Sequence, residues 1–180
     1  MTRDDMKNLV ERLHLLRSTG DLSAIPGLYA ADFIGHMPQG GQYSEFKGHS
    51  GVREVIEWVR SAFPEWTETV EDIIIEGDKV VTWYSSTGVH KGPFIGLAPT
   101  GKHVRINEIS IFRLQNGLVA EQWCLTDGSL ARQLGGGVGL FIGPSAIRRF
   151  SGRVRQRWVR SPPERTSILA YRPSGVRFVV

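Results

Sequence analysis

The sequence predicts an α+β fold in which helices lie against one face of a curved, mainly antiparallel sheet. Three observations predict it. Apolar residues recur at helical spacing early in the chain, four β-branched and aromatic runs follow, and tight-turn signals separate those runs in pairs. The length, 180 residues, suits one domain with an appendage.

Met6, Leu9, Val10, Leu13 and Leu16 form one stripe, and Thr19-Gly20 supply a stop, which predicts an amphipathic helix over 5–18. A shorter helix is expected over 22–30, with Asp21 as N-cap and Pro26 near its first turn. Val52, Val55, Ile56, Val59 and Phe63 make a third stripe, closed by Pro64. Beyond it, residues 67–75, 79–90, 103–114 and 118–126 read as strands. Glu76-Gly77-Asp78 joins the first two, and Gln115-Asn116-Gly117, with its Asn-Gly hairpin signal, joins the last two. The connection 91–102 holds Gly92, Pro93, Gly96, Pro99 and Gly101, too irregular for a strand and long enough to form a rim over a pocket. A short helix over 129–134 would close the sheet.

The formal net charge of +4 is unevenly placed. Residues 1–134 hold 13 Lys and Arg against 17 Asp and Glu, a net of −4, whereas 135–180 hold nine Arg and one acid, a net of +8. The chain therefore divides into an acidic domain, 1–134, and an extension, 135–180, that opens with a Gly-rich stretch read as a flexible linker. Arg148, Arg149, Arg153, Arg155, Arg157 and Arg160 surround Phe150 and Trp158 in the extension. Its poor periodicity argues against nucleic-acid or membrane contact and for an appendage that packs on the domain or on a second subunit. Cys124, the single cysteine, excludes an intramolecular disulfide and a Cys-based zinc site. No histidine has a partner at metal-ligand spacing, so no metal is expected. With no apolar run near the ~20 residues of a membrane span and no leader pattern, a cytoplasmic protein is expected.

Alternation along strands sorts the candidate side chains. On the third strand Val104, Ile106, Glu108, Ser110 and Phe112 share a face, where the acid stands out among apolar neighbours. On the last strand Val119, Glu121, Trp123 and Leu125 share a face with Asp127, and Cys124 lies opposite. Thr82, Tyr84, Ser86 and His90 share parity on the second strand. The functional reading is that Asp127, Glu108 and His90 converge on one cavity whose burial raises carboxyl pKa values. The bland readings stand beside it: Asp127 as a helix cap, Glu108 as an ion-paired acid, His90 as a polar rim residue, and the aromatics Trp83, Trp123, Tyr29 and Phe33 as core.

Residues 88–102, Gly-Val-His-Lys-Gly-Pro-Phe-Ile-Gly-Leu-Ala-Pro-Thr-Gly-Lys, are followed by Phe112-Arg113, Asn116-Gly117, Glu121, Trp123, Asp127 and Gln133-Leu134-Gly135. With Glu57-Trp58-Val59-Arg60 and Ala62-Phe63-Pro64, this ordered set resembles the SnoaL-like polyketide cyclase family of the nuclear transport factor 2-like superfamily, over residues 6–135. The resemblance implies a cone-shaped barrel with a cavity, and closure of a ring of an aromatic polyketide by intramolecular aldol condensation without metal or organic cofactor. It places the key carboxylate at Asp127 as general acid/base. His90 matches the Gly-x-His-x-Gly stretch at the pocket mouth and would bond the substrate or Asp127. Glu108, Ser110, His36, Trp123, Tyr29 and Phe33 would contact substrate. The chain departs from the pattern in an interval from Asp127 to Gln133 that is one residue short, and in Ser110 where the best-known cyclase carries a pocket histidine.

Three functions follow as expectations: a cofactor-free cyclase, a related enzyme on the same scaffold (hydroxylation-associated, epoxide hydrolase or isomerase), and a non-catalytic small-molecule binder. A cavity lined only by apolar side chains, with Asp127 turned out to cap a helix, would mark the binder. A homo-oligomer formed through the outer sheet face is expected in each case.

Overall fold

A computed structural model of the chain describes residues 1–37 and 43–135. The Arg-rich extension beyond Gly135, with the order and role expected of it, lies outside the described residues.

Helix α1, Arg3–Thr19, begins at a capping box, in which Asp5 N–H donates to Thr2 Oγ1 (3.1 Å) and Thr2 N–H donates to Asp5 Oδ2 (2.8 Å). It ends at Gly20 in the left-handed conformation. Its five stripe residues are buried, and His14 is buried with them. The second helix is shorter than expected: a 3₁₀ turn over Leu22–Gly27 gives way to strand β1, Tyr29–His36. The backbone there turns to strand pairing, with Val119 N–H donating to the Leu28 carbonyl. Strand β2, Glu45–Lys47, and helix α2, Gly48–Ala62, follow. Four long strands complete the sheet: β3 Thr67–Glu76, β4 Lys79–Val89, β5 His103–Gln115 and β6 Leu118–Thr126, before the short helix α3, Leu130–Leu134.

The strand order is β2-β1-β6-β5-β4-β3, antiparallel except where β1 runs parallel to β6. The sheet is curved and unclosed, with β2 and β3 as its edges. Asn116 and Gly117 both have positive φ (52° and 82°), as a two-residue primed turn between right-twisted strands requires. The main core lies between α1, α2 and the inner sheet face, centred on Leu13, Phe33, Val80 and Phe112, all 0% exposed. A smaller cluster of Phe63, Trp66, Phe94, Ile106 and Leu134 fills one end.

One irregularity decides which side chains face inward. Gln115 pairs with Leu118 and Leu114 with Val119, yet Arg113 pairs with Glu121, so Ala120 is an extra residue in β6. A one-residue insertion exchanges the two faces of the strand beyond it. Without it Ser110 would stand opposite Trp123; with it Ser110 stands opposite Cys124. Gln122 and Cys124 are therefore buried, whereas Trp123 and Glu121 turn to the outer face. Ile74, Trp83, Ile109 and Leu125 are exposed, the last three in one cross-strand row of that face.

Candidate active site

Between α1, α2 and the inner sheet face lies a cavity of about 590 Å³, mouth included. Met37, Phe46, Val52, Val55, Ile56, Val59 and Trp66 give it apolar walls. Arg17, Tyr29, Arg60, Glu68, Tyr84, Glu108 and Gln122 supply the polar part of its lining. An apolar wall with a few convergent polar groups is the usual composition of a small-molecule site.

Each polar group is placed by strand register or helix phase. Tyr84 on β4 pairs directly with Glu108 on β5, and the next inward position pairs Thr82 with Ser110. Glu68 on β3 stands opposite Ser86 on β4. His14 and Arg17 continue the inward stripe of α1 from Val10 at intervals of four and three residues and lie over Glu68. His14 Nδ1 is 2.6 Å from Glu68 Oε2, and His14 Nε2 is 3.2 Å from Thr82 Oγ1. Arg17 Nη1 is 3.9 Å from Glu68 Oε2, while its Nη2 donates to Gln122 Oε1 (2.7 Å) and to Tyr29 Oη (3.0 Å). Glu108 Oε1 accepts from Ser86 Oγ, and Oε2 accepts from Cys124 Sγ at 3.7 Å.

The two cavity carboxyls are driven apart. Burial pushes Glu108 up to about 7, the Glu68 charge adding to the effect against Ser86, Arg17 and Cys124. Burial also raises Glu68, but the Arg17 charge and the His14 hydrogen bond outweigh it and hold that carboxyl below its ordinary value. A permanently ionised acid thus shares a low-dielectric space with one that exchanges its proton near neutral pH, the pattern by which an acid–base group is recognised. The Cys124 thiol is pushed up to about 12 by burial and by the Glu108 charge, which removes it as a nucleophile.

The expected convergence of Asp127, Glu108 and His90 is not realised: the Ala120 insertion turns the end of β6 and Asp127 outward, and His90 packs against Phe63 and Phe94 beyond the end of β4. Glu108 and Tyr29 reach the cavity, and Ser110 lies just behind its wall, bonded to Tyr84 and Gln122. Asp127 is exposed: Oδ2 accepts from the Asn107 backbone N–H (3.0 Å) and Oδ1 from that of Ser129 (2.9 Å). Desolvation pushes its pKa up, but the bonds from Asn107 and Ser129 together outweigh it and hold the carboxyl below its ordinary value. His90 is fully buried away from the cavity, stacked on Phe63 (5.2 Å between centroids), with Nδ1 3.0 Å from Thr100 Oγ1. It pins the base of the 91–102 connection, no residue of which lines the cavity, contrary to the expected rim. His36 and Trp123 stack on each other on the outer face (5.4 Å), with His36 Nε2 2.9 Å from Glu121 Oε1. Phe33 packs in the core between Tyr29 and Phe46. Arg17, Glu68, Tyr84 and Gln122 were missed by the sequence reading; the continuation of the Val10 stripe through His14 and Arg17 was the available signal.

The family model for SnoaL-like polyketide cyclase matches residues 7–134. The chain belongs to the SnoaL-like polyketide cyclase family. No curated protein matches it. Solved family-like structures include TsrD from Streptomyces laurentii, 26% identical over 76% of this chain and 99% of that one, with a TM-score of 0.68. IdmH from Streptomyces antibioticus, named as a candidate polyketide cyclase, is 29% identical over 72% and 97% of the two chains, with a TM-score of 0.63. AclR from Streptomyces galilaeus, named as a candidate hydroxylase, is 26% identical over 74% and 83%, with a TM-score of 0.65. The family fold is that of nuclear transport factor 2-like proteins, as the architecture here is. Among the described residues no helix is long and apolar enough to cross a membrane.

Proposed function

We propose that this chain binds a polyketide-like small molecule in the cavity and closes a ring of it by intramolecular aldol condensation, with Glu108 as the acid–base group. The observation that carries the reading is the pairing of Glu108, near neutrality, with the ionised Glu68–Arg17 pair inside one apolar cavity. A carbon between two carbonyls is already acidic. The ionised form of Glu108 takes a proton from it, the carbanion attacks the acceptor carbonyl carbon, and the new alkoxide takes the proton back from Glu108. Atoms balance within the substrate, and the carboxyl returns to its starting state. Arg17, which stays charged because Tyr29 and Glu68 outweigh its burial, offsets the negative charge that builds on the oxygens.

Membership in a family of cyclases and a neighbour named as a candidate cyclase support the substrate class. The polar lining argues against the purely apolar cavity of a mere binder, although Asp127 is turned outward as that reading required. Asp127 is read here as the anchor that joins β5 to the start of α3, through Asn107 and Ser129. A second reading, epoxide opening by an acid–arginine–acid set, is favoured by Arg17 lining the same cavity as Glu68 and Glu108. Arg105 and Arg113 of β5 lie on the outer face and do not line the cavity.

The experiment compares Glu108→Gln with Asp127→Asn on an aromatic poly-β-ketone. Glu108→Gln is expected to lower kcat by at least about 100-fold and Asp127→Asn by less than about tenfold. The reverse order would return the catalytic role to Asp127, and diol formation from an epoxide would select the second reading. The exposed row of Trp83, Ile109 and Leu125 supports a homo-oligomer joined through the outer sheet face.

A further inference from the structure

Arg17 and Glu108 are joined by a row of hydrogen bonds that one direction of donation, from Arg17 to Glu108, satisfies throughout. Arginine has no acceptor, so the Gln122 atom facing Arg17 at 2.7 Å is Oε1, and the Gln122 amide nitrogen is left facing Ser110 Oγ at 3.1 Å. Ser110 accepts there and has its own proton for Tyr84 Oη, 3.2 Å away. The Tyr84 hydroxyl is then free to donate to Cys124 Sγ (3.6 Å), and the Cys124 thiol donates to Glu108 Oε2 (3.7 Å). Ser110, Gln122 and Tyr84 are all buried, where the low local dielectric strengthens these bonds.

We propose that Gln122, Ser110 and Tyr84 are positioning residues, a one-way relay of donors that carries the polarising field of Arg17 to Glu108 and fixes Oε2 as an acceptor. The acidic proton of Glu108 is thereby confined to Oε1, where the Ser86 hydroxyl donates to the ionised form and must turn to accept from the protonated one. Each donor in the row favours the ionised carboxylate, so the relay works against the burial and the Glu68 charge that push Glu108 up. The other charged and titratable groups around the cavity are fixed independently of it. Glu68 is held by Arg17 and His14, and the Arg60 guanidinium of α2 is committed to the Ser18 and Pro64 carbonyls.

The inference rests on Glu108 as the group that handles the proton, and its test reads that group without turnover. Infrared titration of the full chain follows the carbonyl stretch of the protonated acid, which Glu108→Gln assigns by removing it. Tyr84→Phe, Ser110→Ala and Gln122→Leu are expected to move the midpoint to higher pH, and Ser110→Thr, which keeps the hydroxyl, to leave it in place. An unmoved or lowered midpoint in Ser110→Ala, the smallest change, overturns the relay, whatever Tyr84→Phe does to folding. Full turnover by Glu108→Gln would instead overturn the catalytic reading while leaving the titration result standing.

Discussion

Glu68 and Glu108 face one cavity from strands β3 and β5 and are held in opposite protonation regimes, the first by Arg17 and His14, the second by burial and by the charge of the first. An ionised Glu68 helps to keep Glu108 protonated, and the stability of the fold inherits the tension.

That tension gives a pH signature. Unfolded, Glu108 titrates at about 4.5; folded, at about 7. Below 4.5 both states bind the proton, and between the two values only the folded state does. Stability is therefore lost as pH rises through this window, by roughly 3 kcal/mol in full. Glu108→Gln removes the loss, so the difference in unfolding free energy between the variant and the wild type should move in the variant's favour from pH 5 to pH 7 and level off above. Urea titrations at pH 5, 6, 7 and 8 check it, and a constant difference would contradict the raised pKa.

Arg17→Met leaves Glu68 buried with His14 alone. Breaking a buried pair from one side costs about 3–5 kcal/mol, whereas Arg17→Met with Glu68→Gln removes both charges and should recover a large part of the loss. A double-mutant cycle in urea measures the coupling; simple additivity would mean that the two side chains do not interact.

Gly92 N–H and Lys91 N–H both donate to the Ala62 carbonyl at the end of α2, and a Cβ on Gly92 would meet the Ser61 carbonyl oxygen. Gly92→Ala should cost about 1–3 kcal/mol by forcing the connection off the helix end. Gly27, whose added Cβ would meet nothing, is the control: Gly27→Ala should stay within about 0.5 kcal/mol of the wild type. Thermal melts compare the two.

The outer row of Trp83, Ile109 and Leu125 gives the last prediction. Ile109→Glu places a charge in its middle and should lower the molar mass measured by light scattering to that of one chain, with the fold retained by circular dichroism. A wild type that is already a single chain would end the proposal of self-association.

Strands β3 to β6 were legible almost to the residue, because alternating β-branched runs bounded by Gly-Asp and Asn-Gly turns are local signals. Strand β1 was not: Tyr-Ala-Ala-Asp-Phe-Ile-Gly-His lacks alternation, carries a register shift between Tyr29 and Ile34, and owes its existence to a partner ninety residues on. In the site, Glu108 stood out by its apolar neighbours. Glu68 did not, since Glu71, Asp72 and Glu76 lie on the same strand and only the packing of α1 decides which acid is covered. Asp127 was assigned to the cavity by the alternation of an ideal hairpin. The single inserted residue Ala120, invisible in the apolar pattern because Val119 and Ala120 are both small enough to bury, sent it to the other side.

The parallel pairing of β1 with β6 also sets an order of events during synthesis. On a ribosome, Tyr29–His36 emerges long before Leu118–Thr126, and until then β1 has only the three-residue β2 to pair with. The apolar face of α1 and the nascent cavity wall must wait for nearly the whole domain to be made before one long-range pairing closes the sheet around them. A stalled chain ending before Leu118 would thus expose the apolar walls of the cavity as a sticky surface.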